Sequence, residues 1–125
     1  MARPGLTFSY VAEMAIPARR FVKHGTTDGR VTLATDGAVP ILGAAEQIPT
    51  KVNCTVDVIH TECAVVEAGG AVARSSPVTS DGTGRAIVAA PAAGVNMWSA
   101  GVALEAATAA GDLIRVLLVP SRIQG

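Results

Sequence analysis

Turn-forming residues recur along this chain at short intervals, and they limit what it can fold into more than any other feature. Asp28-Gly29, Asp36-Gly37, Gly69-Gly70, Asp81-Gly82, Gly94 and Gly111-Asp112 separate short runs rich in Val, Ile and Thr. A chain interrupted this often reads as many short strands joined by tight turns. Residues 51–59 carry the pattern most clearly. Val52, Cys54, Val56 and Val58 alternate with Lys51, Asn53, Thr55 and Asp57, the period of a strand with one buried face. Phe21 to Lys23 and Val31 to Leu33 flank the Asp28-Gly29 loop. Val65-Val66, Ala71 to Ala73, Arg85 to Ala89 and Leu113 to Val119 supply further strands, the last closed by Pro120. The class is mainly β, with at most one short helix.

That helix would fall at Val102 to Ala110, where Ala, Leu and Glu have high helix propensity and Gly111 sits at the C-cap position. The alternative is a strand through Val102, Leu104 and Ala106, and periodicity over so few residues does not choose between them. A weak internal repeat favours the strand. Gly29-Arg30-Val31-Thr32-Leu33-Ala34 is similar to Gly84-Arg85-Ala86-Ile87-Val88-Ala89, and each is followed by Gly-x-Ala, at Gly43-Ala44-Ala45 and Gly101-Val102-Ala103.

At 125 residues, 50% hydrophobic and 16% charged, the chain is expected to be a single domain, 1–125. Aromatic residues are only 3%, so the core must be built from Val, Ile, Leu and Ala, and so sparse a core points to oligomerisation for added support. At the N-terminus Pro4-Gly5 opposes a helix, and Leu6, Phe8 and Tyr10 alternate with Thr7, Ser9 and Val11. Residues 1–17 are therefore a first strand or an extended arm lying on a neighbouring subunit, ahead of a β core at 18–125.

Ten basic residues balance ten acidic ones, and no run of like charge exceeds Arg19-Arg20, which argues against a nucleic-acid partner. No apolar stretch approaches the roughly 20 residues of a membrane-spanning helix. Met1 to Gly5 carries no secretory signal, and two cysteines fit a reducing cytosol.

Candidate chemistry is thin. Cys54, His60, Glu62 and Cys63 form the one cluster of potential metal ligands, without C-x-x-C or H-x-x-x-H spacing. Cys54 reads instead as a small buried group on the Val52/Val56 face. Cys63 with His60 has the residue types of a nucleophile and base, yet Glu62 beside it repels a thiolate and no orienting partner is evident. Gly82-Thr83-Gly84 fits a hairpin turn rather than a phosphate cradle, because Arg85 to Ala89 reads as a strand. Ser75, Ser76, Thr79 and Ser80, and the acids Asp28, Asp36, Asp81 and Asp112, have the composition of turns. No catalytic residue, cofactor or metal is expected. A small β-barrel enzyme or ligand-binding module with a site around His60, Glu62 and Cys63 is the alternative.

The stretch Val66 to Ala73, followed by Pro77-Val78-Thr79-Ser80-Asp81-Gly82-Thr83-Gly84-Arg85-Ala86-Ile87-Val88-Ala89, resembles small capsid decoration, or cement, proteins of tailed bacteriophages. So does the closing segment, Gly101 to Ala107 and Ala110 to Leu118, with Arg20 to Lys23 matching less specifically. The resemblance implies a small antiparallel β-barrel or β-tulip, and a strand at Gly101 to Ala106. It implies a non-enzymatic protein, made in the bacterial host cytoplasm, that sits on the outer surface of a virion shell of HK97-fold major capsid protein. It further implies self-association as a homotrimer, or alternatively a homodimer. Leu6, Phe8, Tyr10, Arg19, Arg20 and Trp98 are then the candidate capsid or subunit contacts. Another phage head or tail component is a further alternative.

Overall fold

The computed structural model describes residues 5–125; readings that rest on Met1 to Pro4 lie outside them. Ten strands make up the regular structure: β1 (Thr7–Ala12), β2 (Phe21–His24), β3 (Arg30–Leu33), β4 (Gly43–Ala45), β5 (Thr55–Ile59), β6 (Glu62–Glu67), β7 (Pro77–Ser80), β8 (Ala86–Val88), β9 (Asn96–Ala103) and β10 (Leu113–Gln124). The described residues contain no helix. The first five strands close into a barrel in the order β1-β3-β2-β4-β5, and the last five form a sheet in the order β6-β10-β9-β7-β8. Thr7–Ala12, within the segment that could have been a free arm, is thus a barrel strand of its own chain. β1 pairs antiparallel with β5 and closes the barrel by a parallel contact with β3.

The two halves are one five-stranded unit used twice. The β2–β3 pairing, Val22 opposite Leu33, recurs as β7–β8, Val78 opposite Val88. Phe21 opposite Ala44 recurs as Pro77 opposite Val102, and Ala44 opposite Ile59 as Val102 opposite Leu117. Phe8 opposite Val58 recurs as Ala64 opposite Val116. Even the isolated bridge between Ile16 and Thr50 has its counterpart between Val72 and Ala107. The short repeat visible at Gly29 and Gly84 is the surviving trace of this duplication. Both glycines hold left-handed backbone, φ +78° and +80°, which a side chain would strain.

Both halves close by an equivalent parallel bridge, Ala12 with Val31 and Ala68 with Ala86, and differ one residue earlier. In the barrel the Val11 amide donates directly to the Gly29 carbonyl at 2.9 Å. The equivalent groups of the second unit, the Glu67 amide and the Gly84 carbonyl, stand apart and grip Arg19–Phe21 between them. Glu67 N–H donates to Arg19 C=O at 3.0 Å, and Phe21 N–H donates to Gly84 C=O at 2.7 Å. The barrel interior holds Ala12, Ile16, Val22, Val31, Leu33, Ala45, Val56 and Val58. A second core joins Phe21, Ala44 and Ile59, on the outside of the barrel, to Val66, Val78, Ile114, Val116 and Leu118. Phe21 is the one aromatic among the fully buried side chains.

Four local readings need correction. Residues 51–54 are not strand: Asn53 has φ +64° and the Cys54 amide bonds back to Lys51, so the chain turns there and leaves Val52 and Cys54 exposed. Ala71 to Ala73 contributes only the Val72 bridge. Gly101 to Ala103 completes β9, but the chain then leaves the sheet as a non-helical loop, so the strand stops short of Ala106. Pro120 does not end the last strand. β10 runs to Gln124 across an irregularity between Leu118 and Ser121, and a proline without an N–H is tolerated there because β6 pairs only up to Leu118.

Candidate interaction surface

Alternation in β1 sends Phe8 and Tyr10 toward one end of the barrel, where β5 delivers His60. Phe8 and Tyr10 both meet the His60 ring edge-on, at centroid distances of 5.2 and 5.5 Å. The Leu42 carbonyl can only accept, so the His60 Nδ1–H donates to it at 3.0 Å, and Nε2 accepts from the Tyr10 hydroxyl at 2.8 Å. This leaves Tyr10 half-buried and Leu6 and Phe8 each 50% exposed. The outcome is a rigid aromatic rim with an apolar outer surface.

Arg19 and Arg20 lie in the segment gripped by the second unit. Arg20 donates to the Thr83 carbonyl at 2.9 Å and pairs with Glu67 at 3.3 Å, beside a second pair between Arg85 and Glu67 at 3.7 Å. Both terminal nitrogens of its guanidinium are thus engaged inside the chain, while Nε is buried without a partner. Arg19 has left-handed backbone, reaches Gln47 at 3.2 Å, and lines a cleft of about 370 Å³ with Ile59, Cys63 and Val65. Trp98 is half-buried; its amide donates to Gly37 at 2.8 Å, and Arg122 lies 5.7 Å over its ring.

The residue types that suggested chemistry do not assemble. Both His60 ring nitrogens are occupied by Leu42 and Tyr10, and Cys63 lies in β6 at the cleft. Among the described residues no three His, Cys, Asp or Glu side chains are grouped to hold a metal ion. The acids serve turns. The Thr26 amide and hydroxyl, with help from Arg30, hold the Glu13 carboxyl below its ordinary pKa. Burial pushes Asp81 up, but the amides of Thr83 and Arg85 and their side chains outweigh it and bring that carboxyl down as well. Asp112 is lowered by the amide and hydroxyl of Thr108 and by the Ala109 amide.

A surface that the sequence reading passed over stands out on the second sheet. The inward positions of β10, Ile114, Val116 and Leu118, are buried, while its outward positions read Leu113, Arg115, Leu117 and Val119. Cys63 and Val102 flank Leu117 on the neighbouring strands, and exposed Pro77 lies opposite Val102. An antiparallel sheet with one wet face normally alternates apolar and polar residues. Here Leu113 is 54% exposed, Leu117 40% and Val119 49%. The one charge in the row is balanced, since Arg115 pairs with Glu105 at 3.2 Å. Donation from the Arg115 amide, then from its side chain, holds Glu105 below its ordinary pKa. The signal was the run Leu113 to Val119, apolar at every position but Arg115, which suits a strand covered on both faces.

Comparison with known proteins fits this picture of a chemically quiet β frame with apolar surfaces. The chain is similar to the N base of head fiber gp8.5 of bacteriophage phi29, with TM-score 0.71 and 17% identity, covering 96% of this chain and 98% of that one. At that identity the likeness speaks for the fold. No curated protein matches the sequence. The model of the phage cement protein family matches residues 2–118, nearly the whole length and both copies of the unit. The chain belongs to the phage cement protein family.

Proposed function

We propose that this protein is a capsid decoration protein that binds the outer surface of a shell of HK97-fold major capsid protein and stabilises it after expansion. Family membership over residues 2–118 is the observation that carries the reading. The molecule suits the task. Its strands form a frame, several of its charged groups are spent on turns and on internal pairs, and it presents apolar side chains outward. Many weak copies acting together hold a shell firmly without any one tight site. The protein is made in the bacterial host cytoplasm, carries out no catalysis, and associates as a homotrimer.

The capsid contact is proposed at the aromatic rim. Leu6 and Phe8 offer the exposed apolar surface there, with Tyr10 bracing them through His60. Arg19, Arg20 and Trp98 are the further contacts proposed.

Co-sedimentation of the purified protein with expanded, stripped shells of the parent phage, against unexpanded proheads, tests it. Saturable binding at a fixed ratio per capsid subunit, with a raised shell melting temperature, is the expected result. Phe8→Ser should weaken that binding by about tenfold or more, as loss of an aromatic anchor does. No binding to either shell would overturn the reading.

A further inference from the structure

The duplication supplies an internal control for the apolar face of the second sheet. The exposed outward positions of β5 and β1 in the barrel are Thr55, Asp57, Thr7 and Ser9; Val11, also outward, is half-buried, and Ile59 is covered by the second unit. The equivalent positions of β10 and β6 are Leu113, Arg115, Cys63 and Val65, as the matching registers show. At these four positions the exterior is hydrophilic in one copy of the fold and, apart from Arg115, apolar in the other. The fold itself does not require Leu113 or Val65 to be apolar, since Thr55 and Ser9 stand at the equivalent positions of the barrel.

The same comparison indicates what covers them. In the barrel, the row Phe21, Ala44 and Ile59 runs across β2, β4 and β5 and is 0%, 0% and 7% exposed, because the second unit packs over it. The equivalent row of the second unit is Pro77, Val102 and Leu117, and it is open. Where this row is covered in the structure, the cover is another unit of the same fold. We infer that the face formed by Pro77, Val102, Leu117, Leu113, Val119 and Val65 packs against a second copy of this chain.

The mode of packing differs from the internal one. Inside the chain Phe21 donates its N–H to Gly84, and that bond locks the two units together. Pro77 stands at the equivalent position and has no N–H to give. Contact between copies is thus made by side-chain packing on a flat sheet. Cores of interfaces between identical subunits have this apolar character.

The inference deepens the self-association proposed above by naming its face; it does not depend on the aromatic rim. Sedimentation velocity of the full chain over a wide concentration range tests it. The wild type should form a defined oligomer. Leu117→Asp and Leu113→Asp, both on exposed positions, should each weaken association by about tenfold or more while leaving the circular dichroism spectrum and thermal transition in place. Thr55→Asp, at the equivalent position of the barrel, should associate as the wild type does. A wild type that stays monomeric, or aspartate variants that associate normally, would overturn the inference. So would Leu117→Asp abolishing shell binding while leaving association intact, since that would assign the face to the capsid. If the wild type forms its oligomer but ignores both shells, the capsid reading fails and the face assignment stands.

Discussion

Glu13 and Asp81 meet one physical need from two directions. Each carboxylate caps the hairpin turn of its unit: Glu13 accepts from the Thr26 amide and hydroxyl, Asp81 from the Thr83 and Arg85 amides. Gly25 leaves room for the Glu13 carboxylate and Gly69 for that of Asp81, so acid and glycine have exchanged places between the copies. The folded state lowers both pKa values beneath the ordinary 4.5 and 3.8. The stability they contribute is therefore fully present above the ordinary values and is lost as pH falls through the lowered ones. The melting temperature should be level near neutrality and drop below about pH 4. Asp81→Asn should cost about 1–3 kcal/mol at neutral pH, and its difference from the wild type should shrink as pH falls through the lowered Asp81 value. Thermal melts across pH would show it; an equal loss at both ends would refute the capping role. Asp81-Gly82 was legible as a turn, because Asx chemistry is local. That Glu13, twelve positions before Gly25, does the same work was not, because only pairing of the strands brings the two together.

At the scale of the strand, the repeated Gly-x-Ala motif has a steric cause. A Cβ on Gly43 would collide with the Ile59 carbonyl, and one on Gly101 with that of Leu117, at equivalent places in the β4–β5 and β9–β10 pairs. Neighbouring backbone approaches too closely there for any side chain. Gly43→Ala and Gly101→Ala should each destabilise by about 1–3 kcal/mol or more in urea unfolding, the range of overpacked sites. Indifference at either site would show that the sheet opens freely. Strand positions were well marked by glycine and Asp-Gly turns, since these act within a few residues. The errors fell where tertiary pairing decides. Residues 51–54 carry a perfect alternation yet turn away at Asn53, and Pro120 continues a strand because its neighbour has already ended.

For the whole molecule, the barrel and the second sheet share a core around Phe21, and the segment Arg19–Phe21 is hydrogen-bonded to Glu67 and Gly84 of the second unit. The protein should therefore unfold as one. Phe21→Ala should cost about 3–5 kcal/mol and lower a single calorimetric transition, whereas two separate transitions would show that the halves stand independently. What the sequence by itself determined is the local layer: a β chain cut by turns, a core of small aliphatics, and a resemblance to phage cement proteins carried by its glycine and alanine motifs. The tertiary structure alone decided which outward strand positions face solvent, which are covered by the other unit and which remain open. Phe21 and Leu117 occupy the same apolar row of the same fold, and alternation marks each as having an apolar face. One is buried and the other exposed because burial depends on what packs across the sheet, and that partner lies far away in sequence or in another molecule.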